Sequence, residues 1–470
     1  MQWYEFLTQP QVEQVHEASM WILANVGIDL RYAPALEVMK KGGARIDGER
    51  VFLPARLVEE QIRKAPAEFT LHARDSDFDV VIGGQHMVFT PGYGATFVAD
   101  LDHGRREGTL NDFENFVKLT DASPYQDICS GMVIEPSDVP HEIRHVQMIY
   151  TAMKNSAKPI MGSAMGVQGA MDSIMMASIV FGSQGQLSQK PRMISILCSL
   201  TPLVYDERML GAIMEYARAG QPQLISSLAI AGATSPATLA GTLAVQNAEV
   251  LAGIVLAQLI REGTPVVMAG ASTNADMHTG ALSTGSPEMA LNTAATAQMA
   301  RFYGLPVRGG GAVCDAKYPD AQAAYESMMS LLTARFSGVN FVLHSAGILD
   351  SYNCMSYEKF IIDDEMCGMV KRMQKGYDVN PDTLGLDLIR EVGPGGHFLD
   401  KDHTFDHFRT EFYQPQLSSR EDFFSWQASG SHQSVARANK KYKEILQSHT
   451  APELPADVDR DLLNFIAKLQ

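Results

Sequence analysis

The chain is predicted to fold as a (β/α)8 barrel, with an N-terminal extension of helices and hairpins and a C-terminal helical cap. Three observations carry this prediction. From residue 88 onward, short apolar runs of strand type alternate with longer helical stretches. Counting 88–90 and 95–98 as one strand position, eight such runs occupy roughly 260 residues, the size of a (β/α)8 barrel. An open doubly wound sheet would favour a dinucleotide fingerprint, and Gly92-Tyr93-Gly94-Ala95-Thr96-Phe97 lacks the last glycine of G-x-G-x-x-G.

The elements follow in chain order. Val12 to Leu23 has a helical period, 33–41 repeats it after a loop, and 57–63 gives a third short helix before Pro66. Stretches 69–73 and 78–89 alternate or run apolar around turns, which predicts hairpins. The barrel strands are expected at 88–90 with 95–98, then 128–134, 158–163, 192–200, 223–228, 265–270, 306–310 and 340–344. Helices are expected at 142–154, 207–218, 235–261, 288–303 and 321–336. Small residues pervade the middle region, and 25 methionines supply an adaptable interior, so most methionines are expected in the core. After Ile362 the chain turns helical again, passes through an aromatic, histidine-rich stretch at 393–409, and ends in an amphipathic helix pair. The expected parts are 1–87, 88–375 and 376–470, packed as one integrated unit.

Composition narrows the function. Lys and Arg number 38 against 54 Asp and Glu, a net charge of −16. Such a chain is not expected to grip nucleic acid or an anionic membrane. The five cysteines are odd in number and none forms C-x-x-C, which argues against a disulfide framework or zinc knuckle and fits a reducing cytoplasm. The first residues lack the basic-then-apolar pattern of a signal peptide, and no run reaches the ~18–20 uninterrupted apolar residues of a membrane span. A homo-oligomer is compatible with an acidic barrel of this size.

Residues just beyond each strand of a barrel share one mouth. That rule collects Phe89, Tyr93 and Phe97 from the first unit, Glu135 from the second, and Asp315 and His344 from the last two, with Lys317 and Tyr352 close behind. Gly309, Gly310 and Gly311 would let backbone approach a ligand closely. Aromatic faces attract a quaternary ammonium through the ring quadrupole, so Tyr93, Phe89, Phe97 and Tyr352 form a candidate cage. Plainer readings stand beside these: phenylalanines fill cores, glycines occupy βα turns, and a strand-end histidine is often structural. His397, His403 and His407 in the tail invite a metal reading, but His-Glu-x-x-His is absent and no third-ligand pattern is clear, so no metal is expected.

Three blocks of the chain resemble the trimethylamine methyltransferase superfamily. They are GGGAVCDAKYPDAQAAYES, HSAGILDSYNCMSYEKFIIDDE and GPGGHFLDKDHTFDHFRTEFYQPQLSSREDFFSWQASG. The resemblance implies a (β/α)8 barrel that passes a methyl group from an amine to cob(I)alamin, the Co(I) corrinoid of a separate partner protein. Every position here, 309–317 included, is an ordinary residue, which resembles the branch without pyrrolysine. That branch implies a quaternary amine substrate such as glycine betaine, proline betaine, carnitine or γ-butyrobetaine. On this reading His344, Asp315 and Glu135 are the candidate catalytic residues, with Tyr93, Phe89, Phe97, Tyr352 and Lys317 binding substrate. Asp315 and His344 would stand beside the methyl group or carboxylate, Lys317 would pair with the carboxylate, and Glu135 would stabilise the headgroup. The chain is not expected to hold the corrinoid itself, because Asp276-Met277-His278-Thr279-Gly280 places glycine one position early for D-x-H-x-x-G. A non-catalytic betaine-binding or regulatory protein, and a metal-dependent barrel lyase or hydrolase, remain the alternatives.

Overall fold

The computed structural model describes residues 3–469. Seven strands form one sheet: β1 (Val88–Thr90), β2 (Ile160–Met161), β3 (Met193–Cys198), β4 (Gln223–Ser227), β5 (Val266–Gly270), β6 (Val307–Arg308) and β7 (Phe341–Leu343). Their order is β1-β7-β6-β5-β4-β3-β2, and every pairing is parallel. Parallel neighbours need crossovers, and helices supply them. Gly166–Phe181, Glu207–Arg218, Leu239–Ile260, Pro287–Tyr303 and Ala321–Ser337 connect β2 through β7 in turn. Four of these five match the helices read from periodicity. Gly166–Phe181 was hidden by its run of small and apolar residues, which carries little helical alternation.

Two strand expectations are corrected. The stretch 128–134 does not form a strand and makes only isolated bridges, Cys129 with Ile160 and Ala95 with Ile134. The Asp127 carboxylate accepts the Phe89 N–H at 2.8 Å, taking a donor that a regular ladder partner would use. The segment nonetheless bonds to both outer strands. Asp127 N–H donates to the Phe89 carbonyl at 2.8 Å, and Met161 N–H donates to the Cys129 carbonyl at 3.2 Å. The second correction concerns 95–98, which is not a continuation of β1. Phe97–Asp100 pairs instead with Cys354–Ser356 and Gly104–Glu107 in a separate sheet. Pro91, which has no N–H to donate, ends β1.

An antiparallel hairpin, Glu68–Leu71 with Val80–Gly83, lies before β1. Its Phe69, Leu71 and Ile82 share one apolar cluster with Val88, Leu224 and Val267 of the sheet. Leu239–Ile260 is long and apolar enough to cross a membrane, yet 83% of its most apolar window is buried inside the protein. Its Glu249 is buried and accepts hydrogen bonds from Ser199, Ser227 and the Leu203 N–H, which ties the ends of β3 and β4 together. Toward the C-terminus, Ser434–Ser448 packs on Tyr357–Lys375, with the Tyr442 and Tyr357 rings stacked at 4.8 Å.

Candidate active site

Strand alternation decides which side chains the sheet encloses. Val88, Ile194, Ile196, Leu224, Val267, Ala269, Phe341 and Leu343 share the inner cluster with the hairpin. Their neighbours Phe89, Leu197, Ile225, Met268, Val307 and Val342 belong to the outer core beneath the helices. Arg308 follows the outward Val307 and pairs in register with Ala269 and Phe341, so it lies on the inner side. It is among the largest fully buried side chains, at 2% exposure. Burial depresses its pKa. Thr90 falls inside by the same parity, following Val88.

Beyond the strand ends, three of the expected residues come together. The Tyr93 N–H donates to His344 Nδ1 at 3.2 Å, and the His344 and Tyr352 rings lie 4.6 Å apart. Burial and the nearby Arg308 charge hold the His344 pKa well below its ordinary value. His344 is therefore neutral, and with Nδ1 accepting it carries its proton on Nε2. Burial pushes the Tyr352 phenol up to about 12 and raises the Tyr93 phenol and the Cys198 thiol as well. All four groups are thus uncharged near neutral pH.

Tyr93 also lines a cavity of about 170 Å³ at the ends of β1 to β3. Four methionines, Met132, Met148, Met165 and Met209, wall it with Ile196 and Cys198. Arg208 stands at its edge, with Nε 3.8 Å from the Asp206 carboxylate. His145, paired through Nε2 with the Asp172 carboxylate at 2.9 Å, also lines it. The remaining walls are mainly carbon, sulfur and an aromatic face, which suits a compact organic cation.

The remaining expected residues take other places. Asp315 accepts from the Thr284 N–H at 2.7 Å, the Thr284 hydroxyl at 2.8 Å, the Gly285 N–H at 3.0 Å and the Ser351 hydroxyl at 2.7 Å. Its carboxylate is occupied in bracing 350–352, three residues with φ of +54°, +50° and +76° that deliver Tyr352 to His344. Lys317 is not at the cavity: its side chain is 71% exposed, paired with Asp350 at 3.3 Å. Phe89 turns outward, with the Lys371 ammonium 5.4 Å from its ring. Phe97 sits under the Arg105 guanidinium at 4.1 Å and packs with Cys314 and Cys354. Glu135 is ion-paired with Arg144. The glycine run serves packing: a side chain on Gly310 would meet the Ala334 Cβ at 2.7 Å, and one on Gly311 the Leu343 carbonyl at 2.3 Å. His403 and His407 gather with Asp382 on the outer tail, outside the residues that line this cavity.

Arg308 and the methionine walls are the parts that sequence reasoning missed. Arg308 carried one usable signal, a lone charge inside the apolar run Leu305-Pro306-Val307 just before the glycines. The methionines carried none, since a lining methionine and a core methionine read alike.

Comparison with known proteins adds independent findings. The family described as trimethylamine methyltransferase (MTTB) matches residues 1–470. A glycine betaine methyltransferase of Desulfitobacterium hafniense (strain Y51) is 51% identical over 465 residues, covering 99% of this chain and 97% of that one. A proline betaine:corrinoid methyltransferase of Eubacterium limosum is 32% identical over 474 aligned positions, covering 98% and 96%. Among solved structures, the Methanosarcina barkeri monomethylamine methyltransferase (MtmB) superposes with a TM-score of 0.56 over 96% of this chain and 90% of that one. At 11% identity it speaks to the fold alone.

Proposed function

The chain belongs to the trimethylamine methyltransferase family, and from that premise we propose that it transfers a methyl group from a small betaine to the corrinoid of a partner protein. Glycine betaine is the first substrate to test, on the strength of the 51% identical relative. The observation that carries the reading is that the phenol, thiol and imidazole groups gathered at the strand ends are uncharged. Tyr93, Tyr352, Cys198 and His344 are all held in their uncharged forms, so none exchanges a proton near pH 7. A quaternary ammonium loses a methyl group and departs as a neutral tertiary amine, with no proton required.

The partner's corrinoid supplies the nucleophile that takes the methyl group. The rest falls to this chain, which must desolvate the headgroup, fix its direction and keep water out. The Tyr93 face and the methionine walls hold the trimethylammonium group by ring-quadrupole and dispersion forces. The Tyr93–His344–Tyr352 contacts fix one wall of the site. Positioning of this kind contributes at most about 7–11 kcal/mol to a bimolecular step.

The same reading covers the architecture. On it, the segment 127–129, which bonds to both outer strands, is read as the eighth member of a closed (β/α)8 barrel. The same reading takes the described residues of 1–87 and of 376–470 as extensions packed on the barrel in one unit, the hairpin Glu68–Leu71 with Val80–Gly83 lying against its inner cluster. All five cysteines are free, in keeping with a cytoplasmic setting. To test the function, the purified protein is mixed with the reduced corrinoid protein and a panel of betaines, and methyl-corrinoid formation is followed by absorbance. Glycine betaine is expected to give it. Betaine binding without methyl-corrinoid from any of the panel would leave a binding protein and refute the transfer.

A further inference from the structure

We propose that Arg308 is the carboxylate receptor of the barrel interior, and that it makes this site select betaines over quaternary amines that lack a carboxylate. The inference rests on the methyl-transfer reading for the identity of the ligand, but not for the anion site itself.

Arg308 is a permanent cation enclosed by protein. Among the described residues its one hydrogen bond is from Nη1 to the Gly270 carbonyl at 3.1 Å. Its Nε has no partner, and among the described residues no carboxylate lies within ion-pairing distance of it. A buried guanidinium is costly unless a negative group meets its fork. Two more buried hydroxyls also lack partners among the described residues: Thr90, which faces inside by strand parity, and Ser130. Thr90 is on β1, and Ser130 is on the segment that bonds to β1 and β2. A carboxylate offers about four acceptor sites and takes a guanidinium fork in bidentate fashion. Arg308 and the two hydroxyls are therefore a donor set without an acceptor.

The arrangement also orients the ligand. Arg308 is level with Ala269 and Phe341, within the strands, whereas Tyr93, His344 and Tyr352 lie past the strand ends. The Arg308 charge reaches Cys198 of the cavity wall as well as His344 and Tyr352. A betaine bound carboxylate-inward puts its trimethylammonium group at the open end, where a partner protein can reach a methyl group. Lys317, whose ammonium is exposed and paired with Asp350, has no part in this.

The test compares wild type with Arg308→Gln and Arg308→Lys, titrating glycine betaine and tetramethylammonium by calorimetry. Losing one partner of a buried charge pair should weaken glycine betaine binding by about a hundred-fold in Arg308→Gln. Arg308→Lys should recover part of the loss, and tetramethylammonium affinity should stay within about three-fold of wild type. The melting temperature of the ligand-free Arg308→Gln protein should not fall, because an unpaired buried charge has been removed. Equal loss of both ligands, or a lowered melting temperature with unchanged glycine betaine affinity, would make Arg308 a structural residue and overturn the proposal. Acetate is titrated alongside as a probe independent of turnover. If wild type transfers no methyl group but binds acetate through Arg308, methyl transfer fails while the anion receptor stands. If glycine betaine is turned over equally by wild type and Arg308→Gln, the receptor fails while methyl transfer stands.

Discussion

Replacing Asp315 with alanine should disable the site from behind, without touching substrate. Three consecutive residues without glycine's freedom, Asp350, Ser351 and Tyr352, adopt positive φ. Each left-handed residue costs about 1–2 kcal/mol, so the loop carries about 3–6 kcal/mol of strain. Asp315 ties this loop to the neighbouring one, accepting one hydrogen bond from Ser351 and three from Thr284 and Gly285. At a net value near 1 kcal/mol per bond, the brace contributes about 4 kcal/mol, comparable with the strain. Its removal should release about 2–3 kcal/mol of local stability, because the Asp350 N–H to Ala316 and Ser351 N–H to Cys314 bonds remain. Expressed as lost population of the working loop, that lowers kcat/KM by between about thirty- and a hundred-and-sixty-fold. Asp315→Asn retains an acceptor but turns an amide toward donors, so it should fall in between. Hydrogen exchange of 350–353 and steady-state kinetics decide the matter together. A large loss of kcat/KM with unchanged exchange protection would mean that Asp315 meets the substrate directly, and the bracing argument would be refuted.

Three further outcomes follow from the geometry. Tyr93→Phe should keep glycine betaine affinity within about three-fold, whereas Tyr93→Leu should weaken it about ten-fold, because the ring face and not the hydroxyl meets the cation; calorimetry with both variants checks this. His344 titrates below its unfolded value, so its contribution to stability is complete above about pH 6.5 and is lost as pH falls from there through its folded pKa. Melting temperature should therefore drop on acidification, more in wild type than in His344→Asn, while kcat/KM stays flat from about pH 7 to 9. Lys317→Ala should leave KM for glycine betaine within two-fold of wild type by steady-state assay, roughly as expected for an exposed ion pair.

Much of the framework was legible because it rests on periodicity. Helix Glu207–Arg218 has the bounds its apolar spacing predicts, and Pro287–Tyr303 differs by one residue. The failures share a physical cause, namely parity. Strand-end position says that a residue is near the mouth, but a one-residue step turns it from inside to outside. Phe89 lies between the inward Val88 and the inward Thr90, so it faces Lys371 and not the substrate. Parity also brings Arg308 inside, which the strand-end rule passed over. The lost strand at 128–134 has a different origin. A side chain, Asp127, took the Phe89 donor, and nothing in an apolar pattern announces such a substitution. Sequence placed Asp315 and Tyr352 near the mouth, but not the link between them, which depends on left-handed backbone at 350–352 that their residue types do not demand.

The walls that favour a trimethylated nitrogen should also expel the product. N,N-dimethylglycine keeps the carboxylate and two methyl groups but, when protonated, carries an N–H that needs an acceptor. Two backbone carbonyls at the cavity are already engaged, Gly162 accepting from Ser195 at 3.1 Å and Ser163 from Tyr216 at 2.7 Å, and His145 Nε2 is taken by Asp172 at 2.9 Å. His344 Nδ1 is taken by the Tyr93 N–H. An ammonium N–H that gives up water without replacement loses a charged hydrogen bond worth about 1.5–3 kcal/mol. Dimethylglycine should therefore bind about ten- to a hundred-fold more weakly than glycine betaine, although its carboxylate meets the same Arg308. The substrate is then preferred over its own product by desolvation alone, with no conformational change needed for release. Calorimetry on wild type measures the ratio directly. Equal or tighter binding of dimethylglycine would mean that the headgroup finds a polar partner in the site, and the apolar-cage account of its selectivity would have to be given up.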